Sequence, residues 1–297
     1  MKPIYGATPL KRRRRTAAEL EQLDAQIIDV LRADHPQSIR HIFYRMTDPR
    51  LPQSVDKTDL GYERICARLK ILRRTGTVPY SWIADMSRQG YLTPTFKGGA
   101  DFLRRVKDWY RADPWEKAKA RCEVWVESRS LASVLRADCE EFAVSLYPCG
   151  GFSSISFANT AAEELNADAE DSRPLHVLYV GDYDPAGVMI DVSLERELRL
   201  HLRPDIELRF ERLGINPDQI EKYQLPEKPR KASERRARHI THTVEAEAMP
   251  ARILRGIVRK RIERLLPRGA MEAARKEEQA EREWLERVAA DREEEGE

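Results

Sequence analysis

Cysteine is scarce and scattered: four residues, Cys66, Cys122, Cys139 and Cys149, with no Cys-x-x-Cys spacing among them. That excludes a zinc ribbon or a disulfide framework and predicts reduced thiols. No apolar run approaches the roughly 20 residues of a membrane-spanning helix, which excludes a helical membrane protein. The first residues lack the apolar core of a secretory signal, so the expectation is a cytoplasmic protein. No internal repeat stands out. His239 and His242 have no obvious third ligand nearby and read as loop or surface histidines.

Charge is plentiful. Of 297 residues, 34% are Asp, Glu, Lys or Arg, and 41% are hydrophobic, a balance expected of a soluble globular chain long enough for two domains. The net charge is only +2, but it is unevenly spread. Residues 1–121 carry 25 Lys and Arg against 14 Asp and Glu, a net +11; the remainder carries 27 against 36, a net −9. A basic front half on an acidic back half points to a polyanionic partner, nucleic acid above all.

Residues 1–15 form a basic tail ending in Lys11-Arg12-Arg13-Arg14-Arg15, suited to salt-dependent phosphate contact. Thr16 and Glu19 make a capping-box start, followed by Leu20, Leu23, Ile27 and Leu31 at helical spacing. A second helix is expected after Ser38. A third is expected after Thr58, with Tyr62, Ile65, Leu69 and Leu72 on its apolar stripe and Gly76 at its end. Thr77–Ile83 reads as a short strand and turn. Three short helices and a small β element over 16–90 predict a winged helix-turn-helix that binds DNA. Its third helix carries Arg64, Arg68, Lys70, Arg73 and Arg74 off the apolar face as DNA contacts.

Residues 91–116 read as a linker with one short helix around Asp101–Tyr110. From 117 to 265, strand-like and helix-like runs alternate, which predicts a mainly parallel sheet with helices on both faces. The turn Cys149-Gly150-Gly151-Phe152-Ser153-Ser154 could meet a phosphate through its amides. Residues 226–250, with Lys228, Arg230, Lys231, Arg235, Arg236 and Arg238, read as a basic loop within the acidic half, and residues 266–297 as a charged C-terminal helix.

Two stretches carry candidate chemistry. Leu175–Val180 is a short apolar run suited to a buried parallel strand, and Gly181-Asp182-Tyr183-Asp184-Pro185-Ala186-Gly187 follows it. Alternation puts Asp182 and Asp184 on one side. Glu127 ends a second strand-like run, Cys122-Glu-Val-Trp-Val-Glu127, so the three acids fall at the carboxyl ends of strands. Carboxylates that close favour a cation between them, and oxygen-only ligation suits Mg²⁺. The second stretch is Arg40-His41-Ile42-Phe43-Tyr44, with Arg40 and Tyr44 four apart on one helix face. A guanidinium beside a phenol favours the phenolate and can grip a phosphate.

The Glu127 strand end and the Gly-Asp-x-Asp-Pro-x-Gly turn resemble a Toprim domain. Together with Arg-His-Ile-Phe-Tyr ahead of them, they resemble the A subunit of type IIB topoisomerase (topoisomerase VI) and its meiotic double-strand-break relatives, in the shorter stand-alone "mini-A" form. The resemblance covers roughly residues 38–260. It implies a CAP-like winged-helix domain followed by a Rossmann-like Toprim domain (117–265). It implies Tyr44 as nucleophile with Arg40 assisting, and Mg²⁺ held by Glu127, Asp182 and Asp184, with Glu127 also shuttling a proton. It further implies a homodimer on double-stranded DNA, and a separate ATPase (B-type) subunit if strands are passed, since no ATPase module lies in this sequence. Two other readings stay open: a hydrolytic Toprim nuclease in which Tyr44 is structural, and a DNA-binding protein that does no chemistry.

Overall fold

The computed structural model describes residues 15–84, 93–150, 155–230, 237 and 240–294. Thr16 accepts from the Glu19 amide and Glu19 returns the bond, so the expected capping box opens α1 (Ala17–Ala33). Ser38 caps α2 (Ile39–Met46) and Thr58 caps α3 (Asp59–Arg74); Gly76, at φ 75°, supplies the left-handed turn that follows. The apolar stripes of the three helices meet through Leu23, Ile27, Leu31, Ile42, Ile65 and Leu69, all buried.

The segment expected as a strand and turn behaves differently. Tyr80–Trp82 is a 3-10 helix, and the only strand-like pairing there among the described residues is a parallel bridge between Gln37 and Ile83. Trp82 explains part of this: its ring stacks on His35 at 4.6 Å, pulling the chain against the end of α1 rather than out into a hairpin. Residues 85–92, the rest of that expected element, lie outside the described residues.

The short helix expected in the linker is α4 (Gly99–Val106), continued by a 3-10 turn at Lys107–Trp109. The sheet then follows the expected alternation. Its elements are β1 (Arg121–Val126), α5 (Arg129–Glu141), β2 (Ser145–Pro148), α6 (Ile155–Asn166), β3 (Leu175–Val180), α7 (Gly187–His201) and β4 (Leu208–Gly214). The strands are all parallel in the order β2-β1-β3-β4. After β4 come α8 (Pro217–Tyr223), a two-residue antiparallel pair β5 (Lys228–Pro229) and β6 (His242–Thr243), α9 (Ala251–Glu263) and α10 (Ala270–Glu294).

Alternate residues of the strands feed two cores. On one face Val124, Val126, Leu178 and Val180 pack with Leu131 and Leu135 of α5 and Leu254 and Val258 of α9. On the other Trp125, Val177 and Tyr179 pack with Ala158 and Ala162 of α6 and Ile190, Leu194 and Leu198 of α7. The first core runs without a break into the α1–α3 core. Asp34 reinforces that seam, pairing with Arg255 at 2.6 Å and accepting from the Arg252 amide at 2.8 Å.

The charged C-terminal helix lies against α4 and the 3-10 turn after it. Glu286 takes Arg104 and Lys107, Glu293 takes Arg104, and Glu278 takes Arg111 at 3.2 Å. All four cysteines are free thiols. Among the described residues no helix is long and apolar enough to cross a membrane.

Candidate functional site

The register of β1 on β3 pairs Val126 with Val180, so the residues that follow them, Glu127 and Gly181-Asp182, leave the sheet side by side. The Glu127 amide donates to the Val180 carbonyl at 2.9 Å, and its carboxylate Oε2 accepts from the Asp182 amide at 2.8 Å. The two motifs, 55 residues apart in the chain, therefore meet at one end of the sheet. Gly181 is required here: a Cβ would overlap the Tyr179 hydroxyl and come within 2.8 Å of Glu127 Oε2.

The Asp-x-Asp turn is held rigidly. Arg212 of β4 donates to the carbonyls of Gly181, Asp182 and Gly187 and pairs with Asp191 at 2.7 Å. Asp184 Oδ1 accepts from the amides of Ala186 and Gly187, at 2.8 and 2.6 Å, where α7 begins. Between the two acids, Tyr183 pairs antiparallel with Val244. That bridge brings in residues 244–248, just ahead of α9.

This segment supplies acids that the motif-based reading did not include. Asp182 Oδ1 accepts from the Ala246 amide at 2.8 Å. Glu247 is buried and takes the hydroxyls of Ser128, at 3.3 Å, and Ser130, at 2.6 Å. Burial, then the charges of Glu127 and Glu247, push the Asp182 carboxyl well above its ordinary range. Burial also raises Glu127; the Asp182 amide opposes that, and the charge of Asp184 adds to it. Glu127, Asp182, Asp184 and Glu247 thus form one electrostatic cluster. Among the described residues, however, no group of three or more His, Cys, Asp or Glu side chains is arranged to hold a metal ion. One oxygen each of Glu127, Asp182 and Asp184 is committed to backbone amides instead.

The second motif lies against the other side of the same segment. Arg40 donates to Glu245 at 2.5 Å and Lys228 donates to the same carboxylate at 2.6 Å. Burial alone would raise Glu245, but the hydrogen bonds from Lys228 and Arg40 override it and hold the carboxyl at about 2. Tyr44 is buried, with Lys57 Nζ 5.2 Å and Lys228 Nζ 5.8 Å from its ring centre. Its hydroxyl faces Glu245 without a hydrogen bond of good geometry.

The expected phenolate activation is not what this arrangement gives. Burial, then the charge of Glu245, raise the Tyr44 phenol, and the opposing effect of Arg40 is smaller because its guanidinium is turned to Glu245. His41, between them in the motif, is fully buried against Ser38 at 2.8 Å; burial, with Arg45 and Arg255 nearby, lowers it to about 3. Lys57 donates to the carbonyl of Pro226 at 2.6 Å, and burial and the neighbouring Lys228 lower it to about 8.

The cations expected to contact DNA are not equivalent. Lys70 and Arg74 are exposed on α3. Arg68 instead braces α3 to α1 through both oxygens of Asp24. Arg73 lies over the Tyr80 ring at 4.4 Å, and Arg64 is half-buried. In the Gly-rich turn, the Gly150 amide donates to the Glu127 carbonyl at 2.9 Å; residues 151–154 lie outside the described residues. The same holds for Lys231, Arg235, Arg236, Arg238 and His239. His242 is exposed, 3.8 Å from Glu227, as expected of a surface histidine.

Comparisons of the chain with protein-family models, with curated proteins and with solved structures find no match.

Proposed function

We propose that this chain is a Mg²⁺-dependent, DNA-cleaving protein of the type IIB topoisomerase A-subunit kind, acting by tyrosyl transesterification through Tyr44. One stretch of backbone supports this best. Residues 244–248 hold Arg40 through Glu245 and Asp182 through the Ala246 amide, so the Tyr44 helix and the acid cluster border one another.

The Glu245 carboxylate marks where a phosphodiester would sit. It is an anion gripped by Arg40 and Lys228 beside Tyr44 and Lys57. In this reading DNA displaces Glu245, and Arg40 and Lys228 turn to the phosphate oxygens. The Tyr44 oxygen attacks phosphorus and the bond to the 3′ oxygen breaks. The leaving 3′ oxygen takes a proton shuttled by Glu127, whose raised carboxyl can carry one, and the 5′ phosphate stays on the protein. Lys57, lowered toward neutrality, accepts the phenol proton. The donor chemistry of the acid cluster, though not its present arrangement, suits a hard divalent cation: oxygens whose mutual repulsion a cation would relieve once they turn from their backbone amides. Glu127, Asp182 and Asp184 would hold the ion, which when bound would offset charge on the leaving oxygen. α1–α3 act as the winged-helix DNA-binding module, with Lys70 and Arg74 foremost on phosphates. A homodimer supplies the second tyrosine that a double-strand break needs.

The burial of Tyr44 and the upward shift of its phenol favour one alternative, a hydrolytic nuclease that uses the acid cluster alone. Trapping with double-stranded DNA and Mg²⁺ or Mn²⁺ separates the two. A 5′-linked protein–DNA adduct, lost in Tyr44→Phe, supports transesterification. Cleavage that survives Tyr44→Phe supports hydrolysis. Binding without cleavage under either metal rules out both.

A further inference from the structure

The opposite end of the sheet holds a second feature of different character. A cavity of about 520 Å³ opens between the starts of β1, β3 and β4 and the corner joining α9 to α10. Lys117, Lys119, Arg209 and Arg264 line it, against walls that include Pro174 and Leu265, and no carboxylate is among its lining residues. Arg209 is held on the rim by both oxygens of Glu207, at 2.9 and 3.0 Å. Lys117, Lys119 and Arg264 are exposed and in no ion pair among the described residues. The buried His176 at the wall lies 3.5 Å from Arg261, which is itself paired with Glu211 at 2.7 Å.

Like charges gathered around one concavity repel each other unless an anion joins them. Two of these cations, Arg209 and Arg264, belong to the chain's acidic half, against its overall charge. The volume falls within the about 300–1,000 Å³ typical of small-ligand sites and is too small for a duplex. The apolar walls suit the body of a ligand whose charge lies at the mouth. We propose that this cavity binds a phosphomonoester of nucleotide size, either a free mononucleotide or the 5′-phosphorylated end of a strand. It lies one strand length, about 20 Å, from the acid cluster, and it is independent of the cleavage reading.

The test is calorimetric titration of the full chain, in EDTA, with AMP, with adenosine and with a 5′-phosphorylated trinucleotide. Binding of AMP or of the trinucleotide is expected, with adenosine at least about tenfold weaker, since loss of charge-assisted hydrogen bonds has that effect. The double variant Lys117→Glu/Lys119→Glu and the single variant Arg264→Gln should each weaken binding by about tenfold while leaving the circular dichroism and Tm unchanged, as expected for exposed side chains. Asp182→Asn should leave the affinity unchanged. AMP binding alone identifies a free-nucleotide site, and trinucleotide binding alone a strand-end site. The proposal is overturned if neither probe binds at millimolar concentration. It is equally overturned if adenosine matches AMP, or if binding falls with Asp182→Asn and not with the cavity variants.

Discussion

Glu245 and the carboxylates around Asp182 are anions at two ends of one short segment, yet their surroundings drive them in opposite directions. Glu245 lies between Arg40 and Lys228 and is held at about 2. Asp182, whose carboxylate takes the very next amide, is buried among Glu127 and Glu247 and is pushed well up. Burial raises both carboxyls; at Glu245 the two cations override it, whereas at Asp182 the neighbouring anions add to it. The difference also divides the labour at the site. The tyrosine side is cation-rich and already satisfied by an internal anion; the acid side is anion-rich, and its neighbouring cation, Arg212, is turned to backbone carbonyls and Asp191.

If the acid side is the seat of cleavage, Asp182→Asn should lower Mg²⁺-supported cleavage by about 10²- to 10³-fold, the usual consequence of removing one electrostatic contributor to a transition state. Cleavage at near wild-type rate would break the comparison. Gly187→Ala comes next in size, because a Cβ there would overlap the Asp182 carbonyl, a backbone atom that Arg212 also holds. A loss of about 2–3 kcal/mol is expected from denaturant unfolding. The Lys228–Tyr44 side should keep its own pattern of proteolytic protection.

Glu245→Gln should cost about 1–2 kcal/mol near neutral pH by weakening two charge-assisted bonds. Its folded pKa is depressed, so its contribution is present above the ordinary Glu pKa of about 4.3 and is lost as pH falls through about 2. The variant should therefore flatten the acid limb of the Tm–pH curve. It should also lower the Tyr44 phenol pKa, read as the difference between ultraviolet titrations with and without Tyr44→Phe.

The smallest effect is expected from pH and metal on the acid side. Asp182 and Glu127 have raised folded pKa values, so the folded chain binds more protons than the unfolded one. Their contribution is fully present below the unfolded carboxylate range and falls as pH rises through the folded values. Metal-free Tm should thus decline across that window, Asp182→Asn should flatten the decline, and Mg²⁺ should restore Tm above it. A rise in Tm with pH that depends on Asp182 would contradict the assignment.

Much of the frame was legible along the chain. The capping residues Thr16, Ser38 and Thr58 start helices where expected because capping is local chemistry. The run Leu175–Val180 and the strand ending before Glu127 read correctly because strands buried on both faces are mostly apolar. β4, Leu208–Gly214, is harder to read because Arg209, Glu211 and Arg212 make its middle polar: as an edge strand it faces solvent on one side. Thr77–Ile83 was misread because a stacking partner, His35, lies more than 40 residues earlier. Glu245 and Glu247 were hidden in a stretch read as a basic loop; the alternation Glu-Ala-Glu was visible, but nothing local tied it to either motif.

By itself the sequence determined which residues end strands, which cap helices, and that three acids and an Arg–Tyr pair were available for chemistry. Those are properties of neighbours within a few positions, set by backbone geometry and alternation. Only the tertiary structure decided that Arg40 is committed to Glu245, that Arg68 is a brace and that Glu247 joins the acids. It alone brought four cations to the far end of the sheet. Long-range partners compete for each charged group, and the winner depends on distance in space, which no local pattern encodes.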